Sequence, residues 1–519
     1  MWGARGVFTL EGGNFTVWNG TITKNGKQEY LRCFNVKNGK LTIENVNIQG
    51  FSCGKGGGAI SIEQSGTCNM NSGTISGNSA WSKEGGGVYV RGTFNMHGGT
   101  ISGNNVSSGS GGGVYVRGTF NMYDGTISGN QAQSGGGVYV YSNGTFTMEG
   151  GAISNNKAKV DYDSYGDGGG VYVHGGSFTM TGGTISGNTA KKNGGGVYVD
   201  KNSFTMKGGT ITNNTANAAG GGVYMYSGSF TMSGGSITGN QAGGDGKGVS
   251  IGGSVSYKLS GTAKITENTG NGEGNLYING GNAERSITNL TTGAQLGICF
   301  SRPGDAKVAT GDNQSLKYLK CENQGYVFTL ENSDELWVKL YRMEIKTPPT
   351  GKEGLTYDGS SHELVSAGTA GTGGTMLYAV GTNQPSGTNA GTYTVWYYAK
   401  GVGDKADSDM ERLNVTIAPK SLTVTGTTVK DKTYDGTDRA DIGEPGQLDG
   451  VYWKEANQVT LVQGVGYFEN KNAGQQTVIF SGFDLTGDRA KNYTLTQPSP
   501  ITASIEPKKL QGVLTVGDI

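Results

Sequence analysis

Cysteine, proline, histidine and charge are all scarce in this sequence. Five cysteines and three histidines in 519 residues, without a single CxxC, make neither a disulfide framework nor a zinc pattern. Nine prolines against 97 glycines, with no glycine at every third position, exclude a collagen triple helix and argue against a disordered Pro/Gly tract. Charged residues are 16% of the chain, and 41 basic ones cancel 41 acidic ones, so nucleic acid and anionic membranes exert no bulk attraction on it. Apolar runs such as Leu296 to Phe300 fall far short of the roughly 18 residues of a membrane span. The first residues lack the basic-then-apolar layout of a secretory leader. A soluble monomer is expected, with no membrane insertion, no cofactor, no metal and no nucleic-acid partner.

The abundant glycines mark a repeat. GGGVYV begins at Gly85, Gly111, Gly135, Gly168 and Gly194 and returns as GGGVYM at Gly220, at steps of 26, 24, 33, 26 and 26. Each copy is followed by a segment such as TFNM, then by one such as TIS with an asparagine two or three residues on. Val88, Phe94, Met96 and Ile101 alternate with polar neighbours, which is the period of strands and not of helices. A repeat of that length, with three short strands and glycine corners, is one coil of a parallel β-solenoid whose coils stack about 4.8 Å apart. Degenerate copies at Gly12 to Asn25, Leu41 to Gly50, Gly246 to Ile251 and Gly274 to Ile278 bring the count to roughly ten or eleven coils, a rod of about 50 Å.

Aligned coils predict the interior. Phe15, Phe94, Phe120, Phe146, Phe178, Phe204 and Phe230 share one position, and Met70, Met96, Met122, Met148, Met180, Met206 and Met232 another; both should line the lumen. Cys68 replaces the phenylalanine of its coil and reads as apolar filler. Asn25, Asn78, Asn104, Asn130, Asn188, Asn214 and Asn240 recur at one corner, where stacked amides can satisfy backbone groups.

Candidate function lies outside. If Val88 and Val90 face inward, Tyr89 faces out, and so do Tyr115, Tyr139, Tyr172, Tyr198 and Tyr224. This column is either a contiguous exposed ridge that recognises a ligand or a self-stacked ladder that stabilises the sheet. The long step between Gly135 and Gly168 inserts a loop beside it, Lys157 to Asp167, adding Tyr162 and Tyr165 to the candidate ligand-binding residues. The loop's Asp161, Asp163 and Asp167 lack the terminal glutamate of a calcium loop, which favours a solvated loop. Solenoid enzymes that cleave polysaccharides need clustered carboxylates with a basic residue at a groove. No such cluster occurs on adjacent coils, so no catalytic residue is assigned. Outward pairs, Thr100/Ser102, Thr126/Ser128, Thr184/Ser186, Thr210/Thr212 and Ser236/Thr238, have the spacing of ice-binding arrays, yet hydroxyl residues are simply favoured on exposed strands.

Domain boundaries follow from composition. The solenoid occupies residues 1–282, a cap 283–340, one β-rich module 341–420 and a second 421–510. The two modules share Tyr357-Asp358-Gly359 with Tyr434-Asp435-Gly436, and Asn389-Ala390-Gly391 with Asn472-Ala473-Gly474. Pro419 and Pro507 recur in VTIAPKSL and ASIEPKKL, so residues 511–519 read as the start of a further repeat in a longer array.

KTYDGT at Lys432, KNAG at Lys471, DLTGDRAKNYTL at Asp484 and SIEPKKL at Ser504 resemble the YDG domain found in tandem on large bacterial adhesins. The module before it more loosely resembles their β-grasp or Ig-like repeats, and the solenoid resembles the right-handed parallel β-helix of Gram-positive surface proteins. This resemblance implies an all-β, extracellular protein at the bacterial cell surface. Its β-helix would meet a glycan or a host surface protein, held out by spacer modules. Neither a leader nor a sortase-type anchor occurs in the sequence, so that location rests on the resemblance alone.

Overall fold

The repeats close into coils because each strand pairs with its counterpart one repeat away. A computed structural model describes residues 5–24, 30–81, 83–159, 166–281, 283–301, 304, 306–378, 385–403 and 405–512. In a typical coil, strands Val114–Val116, Thr119–Met122 and Thr126–Ser128 are followed by a fourth of two residues, Gln131–Ala132. The fourth strand went unread because two residues show no alternation. Register is residue for residue: Tyr115 sits between Tyr89 and Tyr139, and Phe120 between Phe94 and Phe146. The chain is all-β, with a parallel solenoid of about 12 turns. That exceeds the expected ten or eleven because Arg285–Leu290 and Gln295–Phe300 still pair in parallel with the preceding coil. The stack ends where Glu335–Leu340 pairs antiparallel with both Ala306–Gly311 and Tyr326–Glu331, which interrupts the parallel edge.

The lumen is filled as the alignment predicts. Phe94, Phe120, Phe146, Phe178, Phe204 and Phe230 are fully buried, as are Cys68 and the aligned methionines Met70, Met96, Met122, Met148, Met180, Met206 and Met232. Neighbouring phenylalanine rings stack at 4.7 to 5.6 Å, so each is covered by the coil on either side. Phe15 departs from this pattern. It pairs in register with Leu41 but has a described coil on one side only, and 44% of it is exposed.

The corner asparagines form a continuous buried ladder. Asn104 Nδ2 donates to the Ile75 carbonyl at 2.9 Å and to Asn130 Oδ1 at 3.0 Å, while its backbone N–H donates to the same Oδ1 at 2.9 Å. Asn156, missed in the alignment, repeats the pattern between Asn130 and Asn188, and Asn268 extends it to Asn275. Asn25 lies outside the described residues. A carboxylate closes the ladder: Asn275 donates its backbone N–H to Glu322 Oε2 and its Nδ2 to Oε1, each at 2.6 Å.

Residues 342–519 form a separate compact unit. Its first β-rich module holds a three-stranded antiparallel sheet, Thr375–Tyr378, Gly391–Lys400 and Glu411–Ile417. The second holds a six-stranded sheet in which Val465–Phe468, Gly474–Ser481 and Ile501–Glu506 are successive neighbours. One core runs across Pro419, joining Tyr357, Val365, Tyr397 and Ile417 to Leu422, Val459 and Tyr493. A polar joint lies beside it. Tyr357 and Tyr493 both donate their hydroxyls to Glu455, the second at 2.6 Å. Arg489 Nη1 donates to Asn389 Oδ1 at 3.0 Å and the Ala390 N–H to Asn492 Oδ1 at 2.9 Å.

Candidate functional site

The tyrosine column is real, but it is not an exposed ridge. Tyr89, Tyr115, Tyr139, Tyr172, Tyr198 and Tyr224 align strand to strand on the outer face. Their rings stack at 5.6, 5.1, 4.9, 4.7 and 5.3 Å in that order. Tyr89, Tyr115, Tyr139 and Tyr198 are nonetheless 9% exposed or less, and Tyr172 and Tyr224 are half-buried. Two features cover them. Tyrosines above and below hide the ring faces, and the glycine corner closes on the base of the side chain. At Gly168, with φ of +67°, an added Cβ would stand 2.9 Å from Tyr172 Cβ, so the first glycine of GGG is what lets the corner pack there. Burial raises the phenol pKa of Tyr89, Tyr115, Tyr172, Tyr198 and Tyr224 above the ordinary value. The column is therefore a mutually covered stack and not the contiguous exposed ridge expected from alternation.

The next outward column, two residues further on in each coil, is more open, with Arg91 and Tyr226 exposed and the others half-buried. It runs Glu63, Arg91, Arg117, Tyr141, His174, Asp200 and Tyr226. Arg91 Nη1 lies 3.5 Å from Glu63 Oε2. The Arg117 guanidinium sits 4.6 Å over the Tyr141 ring, and the His174 imidazole stacks on the other side of that ring at 5.6 Å. His174 Nδ1 lies 2.6 Å from Asp200 Oδ2. Tyr226 is 57% exposed. Sequence reasoning passed over this column because, apart from Arg91 and Arg117, its residue type changes from coil to coil, although alternation alone places it outside.

Of the inserted loop only the two ends, 157–159 and 166–167, are described. Tyr162, Tyr165, Asp161 and Asp163 lie outside the described residues. Asp167 Oδ1 accepts from the Asn193 N–H at 2.9 Å and from its Nδ2 at 3.1 Å, a corner bond between coils. Among the described residues no group of three His, Cys, Asp or Glu side chains could hold a metal ion. Burial pushes the Cys33 thiol up to about 12 and Cys68 further still, which keeps both protonated and inert. The hydroxyl pairs are in register, Thr100 with Thr126 and Ser102 with Ser128, and half-buried.

Comparison with known proteins divides along the same lines as the fold. Residues 86–269 match the family model described as a right handed beta helix region, and residues 418–502 match that of the YDG domain. None of the curated proteins compared matches the chain. The chain thus carries a right-handed β-helix in its solenoid unit and a YDG domain in the β-rich unit that follows.

Proposed function

We propose that this chain is a non-enzymatic bacterial surface adhesin, in which the β-helix presents a binding strip to a glycan or a host surface protein and the β-rich modules serve as its spacer. The observation that carries this reading is the outward column from Arg91 to Tyr226. It offers guanidinium, imidazole and phenol groups at successive coils, about 4.8 Å apart. Tyr141, its ring faces taken by Arg117 and His174, offers its edge and hydroxyl, and the exposed Tyr226 supplies a flat apolar face with a polar tip, the chemistry that stacks on sugars or on extended peptide. The strip's carboxylates are already engaged, Glu63 by Arg91 and Asp200 by His174, which favours recognition over general acid–base chemistry. An extracellular place at the cell surface follows from the adhesin resemblance.

The test is a glycan array run beside incubation with polymeric polysaccharides. An adhesin binds and releases no product; an enzyme shortens the polymers; a purely structural stalk does neither. Once a ligand is in hand, Tyr141→Ser together with Arg117→Ala should weaken binding, each lost contact costing on the order of 1 kcal/mol. Unchanged affinity in the folded double variant would move the contact surface elsewhere.

A further inference from the structure

The two β-rich modules carry the same acceptor face, and among the described residues only the first is filled. In both, the YDG tyrosine donates its backbone N–H to the residue preceding a proline: Tyr357 to Ala418 O and Tyr434 to Glu506 O, each at 2.8 Å. Both turns are tied alike, Asp358 Oδ1 accepting from the Ser360 N–H at 2.8 Å and Asp435 Oδ1 from the Thr437 N–H at 2.9 Å. The asparagine loops also match. Tyr393 donates to the Asn389 carbonyl at 2.8 Å, and Gln476, at the same offset, to the Asn472 carbonyl at 3.2 Å. Gly391 and Gly474 take φ of +142° and +131°.

What differs is the occupant. Tyr357 is 2% exposed, packed edge-on against Tyr452 and Tyr493 at 6.0 and 5.4 Å and bonded to Glu455. Tyr434 is 37% exposed. A Cβ added at Gly359 would meet Tyr452 at 3.6 Å, whereas one at Gly436 would meet nothing within 4 Å. Asn389 Oδ1 accepts from Arg489 and Asn492, while the matching Asn472 is exposed. Leu422, three residues after Pro419, is fully buried in the shared core; Leu510, three residues after Pro507, is 93% exposed.

We infer that Tyr434, Gly436, Asn472 and Leu510 form a docking face for a further module of the YDG kind, entering in line through Pro507 to Leu510. The incoming module would supply the counterparts of Tyr452, Glu455, Arg489, Asn492 and Tyr493, so its glutamate accepts from the Tyr434 hydroxyl and its asparagine and arginine donate to Asn472. A string of such modules is then a stiff rod, because each joint is both apolar and hydrogen-bonded.

The test compares the chain with an extended form in which Leu510 is followed directly by a second copy of residues 423–512. Tyr434→Phe, Asn472→Ala and Leu510→Ser should each lower the unfolding midpoint of the added module, by on the order of 4–8 °C for the larger effects, and leave the unextended chain unchanged. Equal shifts in both chains, or no shift in either, would overturn the inference. A pair that reads proximity and not stability is Asn472→Cys with Asn492→Cys in the added copy. It should form a disulfide as readily as Asn389→Cys with Asn492→Cys in the unextended chain, and failure of the first pair where the second succeeds would overturn it too. Self-association of the unextended chain that Tyr434→Phe abolishes would give the face to a second copy and overturn the in-line occupant.

Discussion

Phe146 shows what a single residue contributes to this fold. Its ring lies 4.8 Å from Phe120 and 4.7 Å from Phe178, with no exposed surface. Phe146→Ala should cost about 3–5 kcal/mol, and hydrogen exchange should place the damage in its own coil and the two beside it, because repeats contact only their neighbours. The outer tyrosines give a second expectation. Burial raises the phenol pKa values of Tyr115, Tyr172 and Tyr198 above the ordinary 10.0. A raised folded pKa means that the stability these residues add is complete below the unfolded value of about 10 and is lost as pH rises toward the folded one. Alkaline titration followed at 295 nm should therefore show a late phenolate phase that coincides with loss of the β-sheet dichroism. Smooth ionisation of every tyrosine before the sheet melts would contradict a buried stack. For the same reason Tyr139→Ser and Tyr172→Ser should destabilise the solenoid, and a loss of ligand binding in those variants would report unfolding.

Among elements, the asparagine ladder has the most at stake. Asn188→Leu would leave the Asn156 N–H and Nδ2 without their acceptor and the Ile153 carbonyl without its donor, at about 1–3 kcal/mol for each buried group left unpaired. Glu322→Gln should loosen the last coil, since both atoms that meet Asn275 must be acceptors and a glutamine offers one; increased proteolysis near Asn275 with an intact remainder is the expected result. Much of this was legible in the sequence. Period, lumen residues and most of the asparagine column follow from identical side chains recurring at a fixed step. What escaped reading lacked that signal. The fourth strand is two residues long, Asn268 and Glu322 stand outside the regular repeat, and the Glu63 to Tyr226 column repeats a residue type on adjacent coils only at Arg91 and Arg117. The exposure of the tyrosines was misjudged because alternation tells which way a side chain points and not what covers it. In this case the cover is the neighbouring tyrosines and a glycine corner, both visible in the sequence but meaningful only once the coils are stacked.

At the scale of the whole molecule the division of labour is the claim most open to refutation. The solenoid unit ends at Tyr341 and the β-rich unit begins at Arg342. Truncation at Ser421 would be a poor probe, because Leu422, Val459 and Tyr493 belong to the core of the module before it, and its removal would strip that core. A chain ending at Tyr341 leaves the solenoid's own interior intact. The most direct measurement is glycan-array binding by the full chain and by the chain ending at Tyr341, with polysaccharide incubations alongside. The two proteins should bind the same ligands with the same affinity and leave the polymers at full length. Binding that disappears with residues 342–519, or polymers that shorten, would contradict a β-helix whose outer strip recognises its ligand without acting on it.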